Sequence, residues 1–186
     1  MIESSQGCVV WLTGLPGSGK TTLARIVEAK LRDLGLQVEV LDGDEVRKNL
    51  SPELGFTKED REMHARRVVY ISKLLSRNGI ITIVALISPY RASRQAAREA
   101  IGSNFIEVWV NASSETCKRR DPKGLYKKAS QGHVSNLTGI ADPYEPPHSP
   151  QLVVETEKES EASSSMRILE YLENKGYLRC QPQRVI

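Results

Sequence analysis

The sequence has few of the residues that mark disulfide-stabilised or zinc-binding proteins. Among its 186 residues there are three cysteines and three histidines. The cysteines lie far apart, at Cys8, Cys117 and Cys180. They form no Cys-x-x-Cys pair, and the histidines also lack metal-ligand spacing, so neither a disulfide framework nor a zinc site is indicated. We therefore expect a protein of the reducing cytoplasm.

Long apolar runs and a strong net charge are missing as well. The longest apolar run, residues 80–87, is far shorter than a membrane span, and the N-terminus lacks the basic start and apolar core of a signal peptide. Lys and Arg total 26 against 23 Asp and Glu, giving a formal charge of +3. That charge is too small to indicate a nucleic-acid or membrane surface, and we expect neither partner.

Apolar runs alternate with helical periodicity along the chain. The runs typical of buried strands lie at 8–12, 37–41, 80–87, 105–110 and 151–154. The clearest helical patterns lie at 20–34, 58–78, 91–101 and 162–174. The alternation predicts an α/β fold with a parallel sheet flanked by helices on both faces, and the length predicts one domain over residues 1–186. Ligands of such sheets bind beyond the carboxyl ends of the strands.

The stretch GLPGSGKTT, residues 14–22, follows the first predicted strand and begins the first predicted helix. Its Gly-x-x-x-x-Gly-Lys-Thr spacing fits the phosphate-binding loop of P-loop NTPases, in which backbone N–H groups surround nucleotide phosphates. In that motif Lys20 reaches the outer phosphates and Thr21 holds Mg²⁺. We therefore predict binding of ATP with Mg²⁺ by Gly14, Leu15, Pro16, Gly17, Ser18, Gly19, Lys20, Thr21 and Thr22.

Phosphoryl transfer also needs an aligned acceptor hydroxyl and cations around the transferred group. Asp44, after the second predicted strand, is a candidate for a water-mediated Mg²⁺ contact or for the base that accepts the proton of the acceptor. The alternative role is an N-cap for a helix over residues 45–50, and one residue can do both. Asp42 is expected to stabilise the turn.

Four arginines are candidates for binding an anionic acceptor, because guanidinium groups bind phosphate and sulfate in a forked geometry. They are Arg47, Arg61, Arg66 and Arg67. The helix dipole disfavours a cation at a helix start, so a bound anion would give Arg61 a reason to be there. For Arg66 and Arg67, surface ion pairs are an equal alternative.

Residues 121–150 are rich in Pro and Gly and show little apolar periodicity. Loops of this length are usually functional or disordered, and the basic and aromatic content favours a lid that folds over bound nucleotide. A basic run from Lys118 to Lys128 suits a polyphosphate ligand, with a solvated helix face as the alternative. Phe56 and Tyr90 are candidates for stacking on a base, with core packing as the alternative.

Together these segments resemble the adenylylsulfate kinase family, P-loop enzymes that phosphorylate the ribose 3′-hydroxyl of adenylyl sulfate. The resemblance rests on GLPGSGKTT (14–22), LDGDEVR (41–47), LGFTKEDR (54–61), ISPYR (87–91), RDPKGLYKKA (120–129) and TGIADPYEPPHSPQLV (138–153). It implies a transferase of sulfate assimilation that makes 3′-phosphoadenylyl sulfate and ADP from ATP and adenylyl sulfate. It also implies a homodimer.

By this resemblance, the acceptor site comprises Asp44, Arg47, Phe56, Arg61, His64, Ile87, Ser88, Lys123 and Leu137. The candidate catalytic residues are Lys20, Asp44 and Ser88. Ser88 corresponds to a serine described in this family as a phosphoenzyme intermediate. Because in-line transfer between two bound nucleotides needs no covalent relay, we prefer a positioning hydrogen bond for Ser88.

Three positions depart from the family pattern. His64 stands in place of Asn, Ser135 in place of Lys, and Leu137 in place of Phe. All three fall in the expected acceptor site, and Leu137 lacks the aromatic face on which an adenine could stack. Two alternatives therefore stay open, namely a kinase for another small anionic nucleotide and a nucleotide-binding regulatory module with little turnover. The intact Lys20, Thr21 and Asp44 argue against the module.

Overall fold

A five-stranded parallel sheet forms the centre of the structure, a computed structural model that describes residues 6–132 and 137–178. The strands are β1 (Val9–Thr13), β2 (Val38–Asp42), β3 (Ile81–Ala85), β4 (Phe105–Asn111) and β5 (Leu152–Glu155). Their order across the sheet is β2-β3-β1-β4-β5, and every neighbouring pair is parallel. The predicted parallel sheet is confirmed, although the third strand ends at Ala85, two residues earlier than predicted.

Helices connect and cover the strands. They are α1 (Lys20–Asp33), α2 (Gly43–Leu50), α3 (Lys58–Arg77), α4 (Arg91–Ile101), α5 (Ser114–Arg120), α6 (Leu125–Ser130) and α7 (Glu161–Asn174). The four predicted helical ranges match α1, α3, α4 and α7 to within one residue at each end. Within the described residues, no helix is long and apolar enough to cross a membrane.

The sheet is buried on both faces, which explains why its strands read as continuous apolar runs. Every residue of β1 and of β3 is buried. Alternate side chains of β1 point to opposite faces: Val10 and Leu12 pack with α1 and α7, whereas Val9 and Trp11 pack with α3 and α4. The predicted arrangement of helices on both faces is therefore confirmed.

The predicted lid contains α6 and a segment that we call the strap, residues 137–150. A third apolar cluster joins this region to the P-loop; it consists of Ala112, Cys117, Tyr126 and Leu137, with Leu15, Leu125 and Ala129 packed against them. The strap is also bonded to the body of the protein, because Glu145 N–H donates to the Pro89 carbonyl at 2.9 Å. Ser135 and Cys180, which were discussed above, lie outside the described ranges, as does His133, one of the three histidines.

Candidate active site

A cleft of about 560 Å³ lies at the carboxyl ends of β1, β2 and β3. Its walls are the P-loop, the start of α2, Phe56 with the first turns of α3, the β3–α4 loop, the α5–α6 loop and residues that follow β5. This is the edge of a parallel sheet where ligands are expected. Most of the predicted site residues therefore line one cavity, although they come from five separate segments of the chain.

The P-loop conformation depends on its glycines and on contacts from the lid side. Gly17 has φ +78, and a Cβ at this position would lie 2.9 Å from the carbonyl oxygen of Cys117. The Tyr126 hydroxyl donates to the carbonyl of Pro16 at 3.0 Å, and the Thr156 hydroxyl donates to the carbonyl of Ser18 at 2.8 Å. The loop is thus fixed at the N-terminus of α1, where the helix dipole and backbone N–H groups favour an anion.

Lys20 is buried beneath this loop. Its ammonium donates to the carbonyls of Gly14 and Leu15 at 2.8 and 2.7 Å, and to the Ser18 hydroxyl at 3.3 Å. Burial lowers the pKa of Lys20 to about 7. Because a nearby opposite charge favours the protonated amine, a phosphate beside Lys20 would raise that pKa again. The residue is therefore well placed to interact with an anion.

Thr21 and Asp42 form the oxygen pair that best suits Mg²⁺. The Thr21 hydroxyl donates to Asp42 Oδ2 at 2.7 Å, while Asp42 Oδ1 accepts from the Asp44 N–H at 3.1 Å. Asp42 thus stabilises the turn as predicted, and it is Asp42 rather than Asp44 that caps α2. Within the described ranges no group of three or more His, Cys, Asp or Glu side chains could hold a metal. Mg²⁺ commonly takes one or two protein oxygens, such as those of Thr21 and Asp42, and completes its shell with phosphates and water.

Asp44 and Lys123 face each other across the cleft. The Lys123 ammonium, in the α5–α6 loop, donates to Asp44 Oδ2, and both side chains are at least half exposed. An exposed pair of this kind contributes little to stability, so its two members are available to other partners at small cost. The contact brings together two predicted acceptor-site residues that are separated by 79 positions.

Phe56 supplies an exposed aromatic face beside two guanidinium groups. Its side chain is 56% exposed, and the Cζ atoms of Arg47 and Arg61 lie 4.8 and 5.7 Å from its ring centre. Arg61 also donates to Thr138 Oγ1 at 3.1 Å and to Asp142 Oδ2 at 3.3 Å. The structure therefore gives Arg61 a role without a bound anion, because it joins the start of α3 to the strap.

The other aromatic and arginine candidates lie outside this face. Tyr90 is buried, which supports core packing rather than stacking on a base. Arg66 is exposed, and Arg67 forms an ion pair with Glu53 at 2.6 Å, so the alternative of a surface ion pair holds for Arg67. Of the basic run, Arg120 and Lys123 line the cleft, whereas Lys118, Arg119, Lys127 and Lys128 are exposed.

His64 is buried at the edge of the cleft. Its Nδ1 lies 3.0 Å from Ser51 Oγ, and burial lowers its pKa to about 4, assisted by the charges of Arg47 and Arg67. The imidazole is consequently neutral at neutral pH. Ile87 lines the same cleft, and its carbonyl accepts from the Thr13 hydroxyl at 2.8 Å.

Ser88 has a left-handed backbone conformation with φ +44, which non-glycine residues adopt only at a cost in energy. Its hydroxyl accepts a hydrogen bond from the Trp11 indole at 3.1 Å, and its carbonyl accepts from Arg94 Nη1 at 2.5 Å. Among the described residues, no carboxylate or imidazole contacts the Ser88 hydroxyl. These contacts hold Ser88 in place and supply no base for its activation.

Leu137 lies in a different environment from the other predicted acceptor residues. It is 5% exposed and packs in the third apolar cluster with Cys117 and Tyr126. The described cleft wall does not include it. We therefore interpret Leu137 as a core residue of the lid rather than as a surface beneath the acceptor base.

Sequence reasoning missed Thr156 and Tyr126 at the donor end of the cleft. Arg120 donates to Thr156 Oγ1 at 3.0 Å, and Thr156 contacts the P-loop through Ser18. Thr156 directly follows β5, so the rule that ligands bind beyond strand ends would have indicated it. Tyr126 had no comparable signal, because its contact with Pro16 spans 110 positions.

Comparison with known proteins connects this geometry to one family. The family described as adenylylsulphate kinase matches residues 6–155. An adenylyl-sulfate kinase of Halothermothrix orenii is 54% identical over 177 residues, which cover 95% of each chain. The APS kinase of Mycobacterium tuberculosis in complex with AMPPNP and APS superimposes with a TM-score of 0.87, at 39% identity, covering 90% of this chain and 98% of that one. A hexameric APS kinase from Thiobacillus denitrificans gives a TM-score of 0.73 at 34% identity, covering 96% of this chain and 31% of that one.

Proposed function

The chain belongs to the adenylylsulphate kinase family and is an ATP-dependent adenylyl-sulfate kinase, and from this premise we propose how its residues carry out the transfer. The reaction moves the γ-phosphoryl group of ATP to the 3′-hydroxyl of adenylyl sulfate and yields 3′-phosphoadenylyl sulfate and ADP. One observation carries the proposal: a complete phosphate-binding loop and an aromatic face flanked by two arginines share one cleft.

The donor half of the site is built on the P-loop. We assign the ATP phosphates to the backbone of residues 14–22 and to the Lys20 ammonium, which stabilises negative charge on the phosphoryl oxygens. Thr21 and Asp42 would hold Mg²⁺ through their side-chain oxygens. When bound, the ion neutralises charge on the phosphates and helps to orient them.

The acceptor half contains the proton acceptor and the anion-binding groups. Arg47 and Arg61 bind the charged part of adenylyl sulfate, and Phe56 offers its ring to the base. Asp44 leaves Lys123 when substrates bind, orients the 3′-hydroxyl and accepts its proton. Lys123 then neutralises charge on the transferred group.

Ser88 positions the cleft wall through its hydrogen bonds with Trp11 and Arg94, and the transfer is direct. The strained conformation supports this role, since the surrounding contacts must hold it. The alternative of another small anionic nucleotide as acceptor is favoured only by the departures at His64, Ser135 and Leu137. None of these departures removes a group that we assign to phosphoryl transfer.

The domain organisation, self-association and location of the protein are proposed from the same family membership. A single sheet joins all five strands, which supports one domain over residues 1–186. The hexameric relative supports self-association, with a homodimer as the smallest unit. Cys8 and Cys117 are free, buried thiols, which suits a cytoplasmic location.

A coupled ADP-release assay on an acceptor panel tests the proposal. The panel contains adenylyl sulfate, AMP, ADP and adenosine, and we expect rapid turnover with adenylyl sulfate alone and a product phosphorylated at the ribose 3′ position. Lys20→Ala serves as the control: it should lose turnover while keeping the wild-type circular dichroism spectrum and a cooperative unfolding transition. Comparable rates with AMP would establish the alternative acceptor, and little turnover with any member of the panel would favour the regulatory module.

A further inference from the structure

Ser51 and His64 form a buried pair at the acceptor end of the cleft. Ser51 follows α2, His64 belongs to α3, and the two residues are 0% and 3% exposed. His64 Nδ1 bonds to Ser51 Oγ at 3.0 Å. The other ring nitrogen, Nε2, is buried and has no hydrogen-bond partner among the described residues. A buried polar atom without a partner is costly, so a bound ligand is a natural source of the missing bond.

The hydrogen bonds of Ser51 indicate which nitrogen of His64 carries the proton. Arg67 Nη1 also contacts Ser51 Oγ, at 3.2 Å, and a guanidinium can only donate. Ser51 Oγ therefore accepts from Arg67, and the hydrogen of Ser51 needs an acceptor. In the described part of the chain the available acceptor is His64 Nδ1. The neutral ring then carries its hydrogen on Nε2 and can only donate there.

Arg67 is itself held in place. The same Nη1 that contacts Ser51 Oγ donates to the Leu50 carbonyl at 2.8 Å and pairs with Glu53 at 2.6 Å, so its two hydrogens are shared among three acceptors. The neutral state of His64 is favoured by its burial and by the charges of Arg47 and Arg67. The chain Arg67, Ser51, His64 consequently runs from the protein surface to the cleft wall.

We propose that Ser51 is a positioning residue that, held by Arg67, fixes His64 as its Nε2–H tautomer, so that His64 donates a hydrogen bond to an acceptor atom of the bound nucleotide. This inference rests on the proposed function, because it assigns His64 to the adenylyl sulfate end of the cleft. It adds a specificity rule: an acceptor nucleotide is favoured if it presents a lone pair, rather than a hydrogen, to His64.

Nuclear magnetic resonance of the full chain labelled with ¹⁵N-histidine tests the tautomer directly. The chain has three histidines, so the His64 signals are assigned by their loss in His64→Gln. We expect Nε2 to be protonated in the wild type and the fraction of this tautomer to fall in Ser51→Ala. Ser72→Ala is a matched control, because Ser72 is equally buried and, within the described ranges, its hydroxyl bonds only to the Val68 carbonyl. A wild type protonated at Nδ1, or a tautomer ratio unchanged in Ser51→Ala, would overturn the proposal.

Steady-state kinetics then separates positioning from simple stability. Ser51→Ala should raise KM for adenylyl sulfate about three- to tenfold, the range of one hydrogen bond, with kcat and the KM for ATP within about twofold. Gln places an amide N–H near the position of Nε2, so His64→Gln should keep most of the affinity that His64→Phe loses. Equal losses of affinity in His64→Gln and His64→Phe would show that His64 does not donate a hydrogen bond to the nucleotide. If the wild type did not turn over adenylyl sulfate at all, the proposed function would fail while the tautomer measurement would still stand.

Discussion

The buried Arg94 side chain offers a quantitative test of how the cleft wall is supported. Its guanidinium is 2% exposed and makes three separate interactions: with Glu107 Oε1 at 2.8 Å, with the Ser88 carbonyl at 2.5 Å and with the Glu145 carbonyl at 2.6 Å. It therefore links α4 to β4, to the strained residue of the β3–α4 loop and to the strap. Replacing it with Met keeps most of the volume but removes all three bonds.

The expected cost can be worked out from the partners that remain. Removing one member of a buried ion pair costs about 3–5 kcal/mol, because the other charge is left uncompensated. Glu107, whose side chain is 7% exposed, would keep Arg98, which contacts its Oε2 at 2.7 Å. We therefore expect Arg94→Met to lower the free energy of unfolding by about 3 kcal/mol, the lower end of this range. For a domain of this size that corresponds to a fall in Tm of roughly 6–12 °C.

Urea unfolding of a double-mutant cycle measures this cost. The cycle consists of Arg94→Met, Glu107→Gln and the double variant, and the double variant should lose less than the sum of the two single losses, because a neutral amide no longer needs the arginine. Arg98→Met is the control, since its side chain is 28% exposed and should matter less. A loss below about 1 kcal/mol for Arg94→Met, or strict additivity, would refute the reasoning.

Three further substitutions test individual residues. Leu137→Phe should overpack the lid cluster and cost about 1–3 kcal/mol of unfolding free energy without lowering KM for adenylyl sulfate; a lower KM would instead show that residue 137 reaches the acceptor base. Ser88→Ala should leave clear residual activity and no phosphoserine after incubation with ATP, whereas a trapped phosphoserine consumed by acceptor would contradict direct transfer. Asp42→Asn should raise the Mg²⁺ concentration needed for half-maximal activity. Asp44→Asn should lower kcat with little change in that Mg²⁺ concentration. The opposite pattern would make Asp44 the Mg²⁺ ligand and Asp42 the proton acceptor.

The sheet and the long helices could be predicted because burial leaves a repeated pattern in the sequence. β1 and β3 are buried throughout and apolar except for one threonine each, since both of their faces are covered. α1 and α3 are long enough to show helical periodicity. The shorter helices α5 and α6 have seven and six residues, about two turns, so a period of 3.6 cannot be recognised in them. The P-loop was predictable because its glycines are required by geometry at Gly17 and Gly19.

The details of the site depend on contacts that local sequence does not encode. The hydrogen bond between Thr21 and Asp42 joins two different strand–helix turns, and it forms only when the sheet brings the ends of β1 and β2 to the same edge, with β3 between them. Leu137 shows the converse: its position in a family pattern suggests contact with a base, yet the fold places its side chain in the lid core. The partner of His64 was equally hidden, since Ser51 carries no motif.

The contacts that hold the P-loop also determine when the protein can acquire its nucleotide-binding ability during synthesis. Tyr126 and Thr156 bond to loop carbonyls 110 and 138 positions earlier in the chain. Such distant pairs form late, because a long segment of chain must close before they can meet. A ribosome-bound chain that has already exposed the whole glycine motif therefore still lacks the groups that shape it. We expect nascent chains that end before β5 to bind ATP poorly, so that nucleotide binding reports completed folding rather than preceding it.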